Sequence, residues 1–148
     1  MKQRLALIGN GMAAGRLLDE LARRNASAVY DITVFGEEPH GCYNRILLGR
    51  VLSGSPADEI TLKAADWYAA HGVTLRAGTR VDRLDTVARR IVTADGEAVP
   101  YDAVVFATGS APFVPRIDGL KSPGGKPKPG VFAFRTVDDC AAMRAYAR

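Results

Sequence analysis

Apolar residues fall in compact runs and one helical stripe early in this chain, and in short segments broken by turns later. Leu5–Ile8 is an unbroken apolar run, too short for a helix and suited to an interior parallel strand. Met12, Leu17, Leu18, Leu21 and Ala22 recur at helical spacing over Met12–Arg24, and Asn25-Ala26-Ser27 ends that helix. Asp31–Phe35 is rich in β-branched and aromatic residues and reads as a second strand. Strand, helix and strand in this order make one βαβ unit with parallel strands. His40–Gly54 reads as loop, with a short helix around Ile46–Leu52. A helix is expected over Leu62–His71, closed by Gly72, with Trp67 packing it onto the core. Val73–Arg76 is a third core strand. The character then changes. Arg80–Leu84, Arg90–Thr93 and Ala98–Tyr101 are short strands joined by turns, with Ala94–Glu97 as the clearest hairpin signal. Asp102–Gly109 returns to a buried strand that ends in a glycine turn. Ser122–Gly130 (SPGGKPKPG) has no apolar periodicity and reads as an exposed loop with solvated lysines. A last helix covers Val137–Tyr146, and no internal repeat is visible. The expected fold is α/β: a three-layer domain with a central parallel sheet, a helix layer and an antiparallel meander.

The turn between the first strand and the first helix carries chemistry. Gly9, Gly11 and Ala14 fill the small-residue positions of G-x-G-x-x-G/A, with Asn10, Met12 and Ala13 between them. Gly9 permits a sharp turn out of the strand. Gly11 lets a pyrophosphate approach the backbone, and Ala14 lets the helix lie close to the strand. The helix start offers unpaired N–H groups to phosphate. Three small residues alone also fit a tight turn with no ligand; strand before and helix after favour a dinucleotide. Glu37 and Glu38 follow the second strand, where an acid can hold ribose hydroxyls. Glu37 is the nearer to the strand end, and an acid there repels a ribose 2′-phosphate, which disfavours NADP at this turn. The alternative for either residue is an exposed loop carboxylate.

Composition narrows the classes. The 148 residues are 47% hydrophobic and 24% charged, the balance of a globular domain. The net charge of +4 is mild, and Lys and Arg are scattered without interleaved aromatics, so nucleic acid is not expected as a partner. No apolar run reaches the length of a membrane span or of a signal-peptide core, which predicts a cytoplasmic protein without a membrane partner. Cys42 and Cys140 form no C-x-x-C pair, consistent with a reduced compartment. His40 reads as an exposed loop residue and His71 as a helix end. Neither has a nucleophile or carboxylate at suggestive spacing, so no metal site, catalytic triad, or catalytic acid or base is predicted. Cys140 reads as a packed helix residue and Cys42 as an accessible loop thiol.

Four blocks in order carry a resemblance: GNGMAAGR (9–16), DITVFGEEP (31–39), YNRILLGRVLSG (43–54) and YDAVVFATGSAPFVP (101–115). Together they resemble the N-terminal FAD segment of the pyridine-nucleotide-dependent flavoprotein oxidoreductases, with an FAD/NAD(P)-binding Rossmann-like fold. The YNRILL block is most similar to the large subunit of the NAD(P)H nitrite reductases. The resemblance covers nearly the whole chain. It implies FAD at Gly9–Ala14, Glu37 on the adenosine ribose, and Arg45 near the pyrophosphate or adenine. It also implies a backbone contact from Val81 to adenine, and Ala107-Thr108-Gly109 as the turn that closes over the FAD. A lysine common in such reductases falls at Arg50. That departure puts a lysine-specific role in doubt while leaving a forked phosphate contact open. Read from the residues alone, Thr108 and Gly109 are equally an ordinary strand-ending turn. Cys42 lacks the C-x4-C partner of a redox disulfide, and Trp67 has flavin stacking as its lesser alternative.

The resemblance further implies an NAD(P)H domain with its own glycine fingerprint and a returning Gly-Asp segment that completes the FAD site. Neither is found here, so 1–148 is expected to be the N-terminal segment of an FAD-binding domain, inactive by itself. It is expected to fold and to hold FAD weakly, with exposed apolar surface that invites a homo-oligomer. In the intact protein the resemblance implies electron flow from NAD(P)H through FAD to iron–sulfur and sirohaem centres, where nitrite becomes ammonia. Alternatives are a rubredoxin- or ferredoxin-type NADH reductase, a non-enzymatic NAD(H)-binding redox sensor that leaves Arg45 and Thr108 idle, and a flavin-free interaction domain.

Overall fold

The computed structural model describes all 148 residues, Met1–Arg148. It divides into two compact units, Met1–Tyr43 with Thr61–Gly109, and Asn44–Ile60 with Ser110–Arg148.

The first unit is built on a four-stranded parallel sheet. Its strands are β1 (Gln3–Ile8), β2 (Tyr30–Phe35), β5 (Val73–Arg76) and β9 (Ala103–Phe106), in the order β5-β2-β1-β9. Register is in step along the middle pair, from Gln3 opposite Tyr30 to Ile8 opposite Phe35. Helix α1 (Met12–Arg23) connects β1 to β2. Asn25 follows in the left-handed conformation, which Asn tolerates better than most side chains, and this stops the helix where expected.

The pleat of β1 sorts its side chains into two cores. Leu5 and Leu7 pack with Leu18, Ile32, Val34, Tyr68 and Val73 on the helix side. Ala6 and Ile8 pack with Phe35, Ile91 and Tyr101 on the other. That second core is roofed by an antiparallel meander of β6 (Val81–Asp85), β7 (Arg90–Thr93) and β8 (Ala98–Pro100). The three expected layers are therefore present. At the amino ends of the strands, the Arg4 guanidinium grips Asp102 through both Nε and Nη2, at 2.9 and 2.8 Å. The Arg4 backbone N–H adds a third bond to the same carboxylate, at 2.7 Å.

Two expectations need correction here. The helix placed at Leu62–His71 is shorter. Thr61–Lys63 forms strand β4, paired antiparallel with β3 (Cys42–Tyr43), and only Ala65–Ala70 is helical, as α3. Pairing with β3 makes this segment a strand and turns Lys63 inward, where its ammonium meets Asp19 at 2.6 Å and lies 4.4 Å from the Trp67 ring centre. A buried charge needs such a partner. His71 and Gly72 end the helix as expected. Trp67 does pack against the helix-side core, but its neighbour Tyr68 is the fully buried anchor. The second correction concerns Asp102–Gly109. Its strand is Ala103–Phe106, it lies at the sheet edge paired with β1 alone, and Phe106 is 63% exposed.

In the second unit, Arg45–Leu47 makes a 3-10 turn leading into α2 (Leu48–Leu52). Helix α4 (Val137–Tyr146) opens with a reciprocal cap between Thr136 and Asp139. It packs Cys140 against the Leu48 carbonyl, and Arg144 donates to the Val51 carbonyl. Cys140 is fully buried, as a packed helix residue should be. The Ser122–Gly130 loop is exposed and turns on a bridge between Lys121 and Pro127. No helix of the structure is long and apolar enough to cross a membrane.

Candidate functional site

The carboxyl ends of β1, β2, β5 and β9 are stitched together by backbone bonds, which places the glycine turn at the sheet's ligand-binding edge. Gly9 N–H donates to the Phe35 carbonyl at 2.8 Å, and Ala107 N–H donates to the Ile8 carbonyl at 2.7 Å. Gly36 N–H donates to the Arg76 carbonyl at 3.0 Å, while Thr79 N–H returns to the Gly36 carbonyl at 2.7 Å. The loop after β5 is thereby tied to the loop after β2, and Val81 opens β6 immediately beyond it.

Each glycine of the turn has its own reason. Gly9 has φ +105°, and a Cβ on it would stand 2.2 Å from the Ala107 carbonyl oxygen. It is therefore required by the close passage of Ala107-Thr108 as well as by the bend. A Cβ on Gly11 would meet nothing within 4 Å, so the space in front of it is open. Gly11 is also the N-cap of α1 in extended conformation. No side chain caps the helix start and no acid stands in the first turn. Met12 and Ala13 are exposed, and Ala14 is completely buried against the sheet.

The two acids differ. Glu37 is exposed, with the Arg80 guanidinium at 3.6 Å. Glu38 is half-buried and accepts a 2.6 Å bond from the Tyr43 hydroxyl. Glu37 is thus the carboxylate that faces solvent at the end of β2. Thr108 and Gly109 are exposed beside the turn, with Gly109 at φ +73°. Arg45 and Arg50 belong to the second unit. There Arg45 donates to the Arg135 carbonyl at 2.8 Å, and Arg50 is exposed on α2.

Behind the turn sits Tyr68, which the sequence does not single out. The Tyr68 hydroxyl donates to Asn10 Oδ1 at 2.7 Å and accepts from the Cys42 N–H at 3.1 Å. Asn10 Nδ2 reaches the His40 carbonyl at 3.4 Å. The side chain of Asn10 therefore points into the protein. Cys42 is fully buried on β3, which overturns the accessible thiol expected there. Its Sγ contacts the Gly11 carbonyl at 3.4 Å. Burial pushes the Tyr68 phenol pKa up, so the group stays a neutral donor. The signal for Tyr68 lies in its chemistry: a tyrosine buried in a helix that packs on the core needs a hydrogen-bond partner for its phenol. Arg80, which the sequence shows only as a strand start, precedes β6 and pairs with Glu37.

The residues present fit a dinucleotide. There is open space where a Cβ is missing, a helix start with free N–H groups, and an exposed acid at the neighbouring strand end.

Comparisons with known proteins agree. The chain is 43% identical to the assimilatory nitrate reductase electron transfer subunit of Bacillus subtilis, over 99% of its own length and 18% of the relative's. It is 35% identical to the nitrite reductase (NADH) large subunit of Escherichia coli, over 99% of its own length and 17% of the relative's. The chain thus spans less than a fifth of these relatives. Among solved structures, the water-forming NADH oxidase from Lactobacillus brevis superposes with a TM-score of 0.81 at 16% identity. That match covers 99% of this chain and 32% of the oxidase, and it speaks for the fold. The family model described as pyridine nucleotide-disulphide oxidoreductase matches residues 3–148, and the chain accordingly belongs to that family, as an FAD-binding, Rossmann-like domain.

Proposed function

We propose that the Gly9–Ala14 turn holds the diphosphate of FAD, with Glu37 on the adenosine ribose, as part of an NAD(P)H-dependent oxidoreductase that feeds electrons into nitrite reduction. The observation that carries the reading is the uncapped start of α1, open at Gly11 and flanked by the exposed Glu37 carboxylate. Backbone N–H groups there neutralise phosphate without a side chain, and Glu37 accepts from ribose hydroxyls. Arg80 screens Glu37 until the ribose takes its place. Thr108 and Gly109 flank the turn from β9, and the Val81 backbone borders the adenine. FAD, when bound, supplies the two-electron chemistry; the protein's part is to bind it, orient it and shape its surroundings.

The nicotinamide-binding and electron-accepting parts, with their iron–sulfur and sirohaem centres, are assigned to regions outside these 148 residues. Supporting this is the small share of each relative that the chain spans. The 43% identity to a nitrate reductase electron transfer subunit favours a second reading, in which the electrons go to nitrate.

Calorimetric titration of the 148-residue chain with FAD and with NADH tests the cofactor. FAD is expected to bind more tightly, and Glu37→Gln is expected to weaken it about ten-fold through loss of charged hydrogen bonds. Preference for NADH, or binding of neither, would remove the reading. Assaying the full-length protein for NAD(P)H-dependent loss of nitrite and of nitrate separates the two acceptors.

A further inference from the structure

Behind the ligand face of the glycine turn lies a closed polar network with no part in the proposed contacts. The Tyr68 hydroxyl is at its centre, on a side chain that is 1% exposed. It donates to Asn10 Oδ1 at 2.7 Å and accepts from the Cys42 N–H at 3.1 Å. Asn10 is the residue between the two turn glycines. Its Nδ2 continues to the His40 carbonyl at 3.4 Å, and Cys42 Sγ touches the Gly11 carbonyl at 3.4 Å. The turn is thereby held from α3, from β3 and from the loop before β3. Gly36 allows this, because a Cβ on it would stand 3.1 Å from Asn10 Cβ.

We infer that Tyr68 is a positioning residue for diphosphate binding: by holding Asn10 from behind, it keeps the backbone N–H groups of the turn and of the first turn of α1 aimed at the phosphates. This rests on the proposal that the Gly9–Ala14 turn binds the cofactor's diphosphate. The reason is conformational. A glycine-flanked residue has many accessible backbone states, and each ligand must select one of them. The Asn10 side chain cannot reach a ligand while it bonds to Tyr68, so its contribution runs through the backbone. A neutral phenol suits the task because it donates and accepts at once, and the apolar core on the helix side fixes its ring.

The test uses ADP and adenosine, which share the nucleoside and differ in the diphosphate, titrated calorimetrically into the 148-residue chain. Tyr68→Phe removes the hydroxyl and keeps the ring. It is expected to weaken ADP about three- to ten-fold, the worth of one net hydrogen bond, and to leave adenosine unchanged. Asn10→Ala, which keeps Cβ, is expected to do the same. The double variant is expected to be no weaker than either single one, since the two groups act as a unit. A melting temperature shared by the variants cannot produce this ADP-selective loss. ADP affinity unchanged in Tyr68→Phe overturns the inference, as does an equal loss for adenosine. If the unaltered chain binds adenosine but gains nothing from the diphosphate, the cofactor reading itself falls, and this inference with it.

Discussion

Gly9 and the carbonyl of Ala107 are so close that a single methyl group cannot be placed between them. A Cβ on Gly9 would be 2.2 Å from that oxygen and 2.9 Å from Thr108 Cα, at a φ of +105°. Both obstacles are backbone, so neither can rotate away. Gly9→Ala is therefore expected to cost at least about 3 kcal/mol, from backbone strain and overpacking together. Urea denaturation checks this, and a loss within experimental error would show that the two segments are not packed as described.

Gly11 sits two residues on and behaves oppositely. Its φ is ordinary at −86°, and a Cβ there meets nothing within 4 Å. Gly11→Ala should leave the fold within about 1 kcal/mol of the parent, the usual cost of a poorer N-cap. The new methyl would instead occupy the space assigned to phosphate. FAD titration is expected to show at least a ten-fold loss (about 1.4 kcal/mol) with little change in urea midpoint.

Gly15 lies inside α1, where alanine would ordinarily gain about 1 kcal/mol of helix propensity. Here a Cβ would stand 2.7 Å from Cys42 Sγ. Gly15→Ala is therefore expected to destabilise, whereas Gly15→Ala with Cys42→Ala should recover most of the loss. The measurement is a double-mutant cycle on unfolding free energy. Additive effects would refute the contact. The same burial predicts that native Cys42 resists a thiol reagent that labels it fully in denaturant.

The Arg4 guanidinium, bonded to both oxygens of Asp102, holds that carboxyl far below the usual carboxylate range. A depressed folded-state pKa contributes stability above the unfolded value of about 3.9, and this is lost as pH falls below it toward the folded value. Asp102→Asn should lower the urea midpoint at neutral pH and flatten its fall under acid conditions. Parallel acid limbs for the two proteins would contradict this.

Much of the site was legible because it depends on residues adjacent in the chain. Gly9, Gly11 and Ala14 announce the turn through the absence or smallness of side chains, and Glu37 follows a recognisable strand. The short runs between turns, with Ala94–Glu97 as a hairpin, likewise placed β6, β7 and β8 to within a residue or two. The Leu62–Lys63 stretch reads as helix because so short a segment carries no period of its own. It became a strand only by pairing with Cys42–Tyr43 and by sending Lys63 to Asp19. Cys42 passed as a loop thiol for the same reason, its burial coming from α1 and β4 rather than from its neighbours.

The sequence by itself determined the parallel sheet, the glycine turn and the acid beside it, since hydrophobic period, missing Cβ atoms and charge are local properties. Tertiary structure decided which of the two acids faces outward, that Asn10 turns its side chain inward to Tyr68, and that β9 lies at the sheet edge. Those outcomes depend on partners distant along the chain, Arg80 for Glu37 and Tyr68 for Asn10, and only folding brings them within hydrogen-bonding or ion-pairing distance.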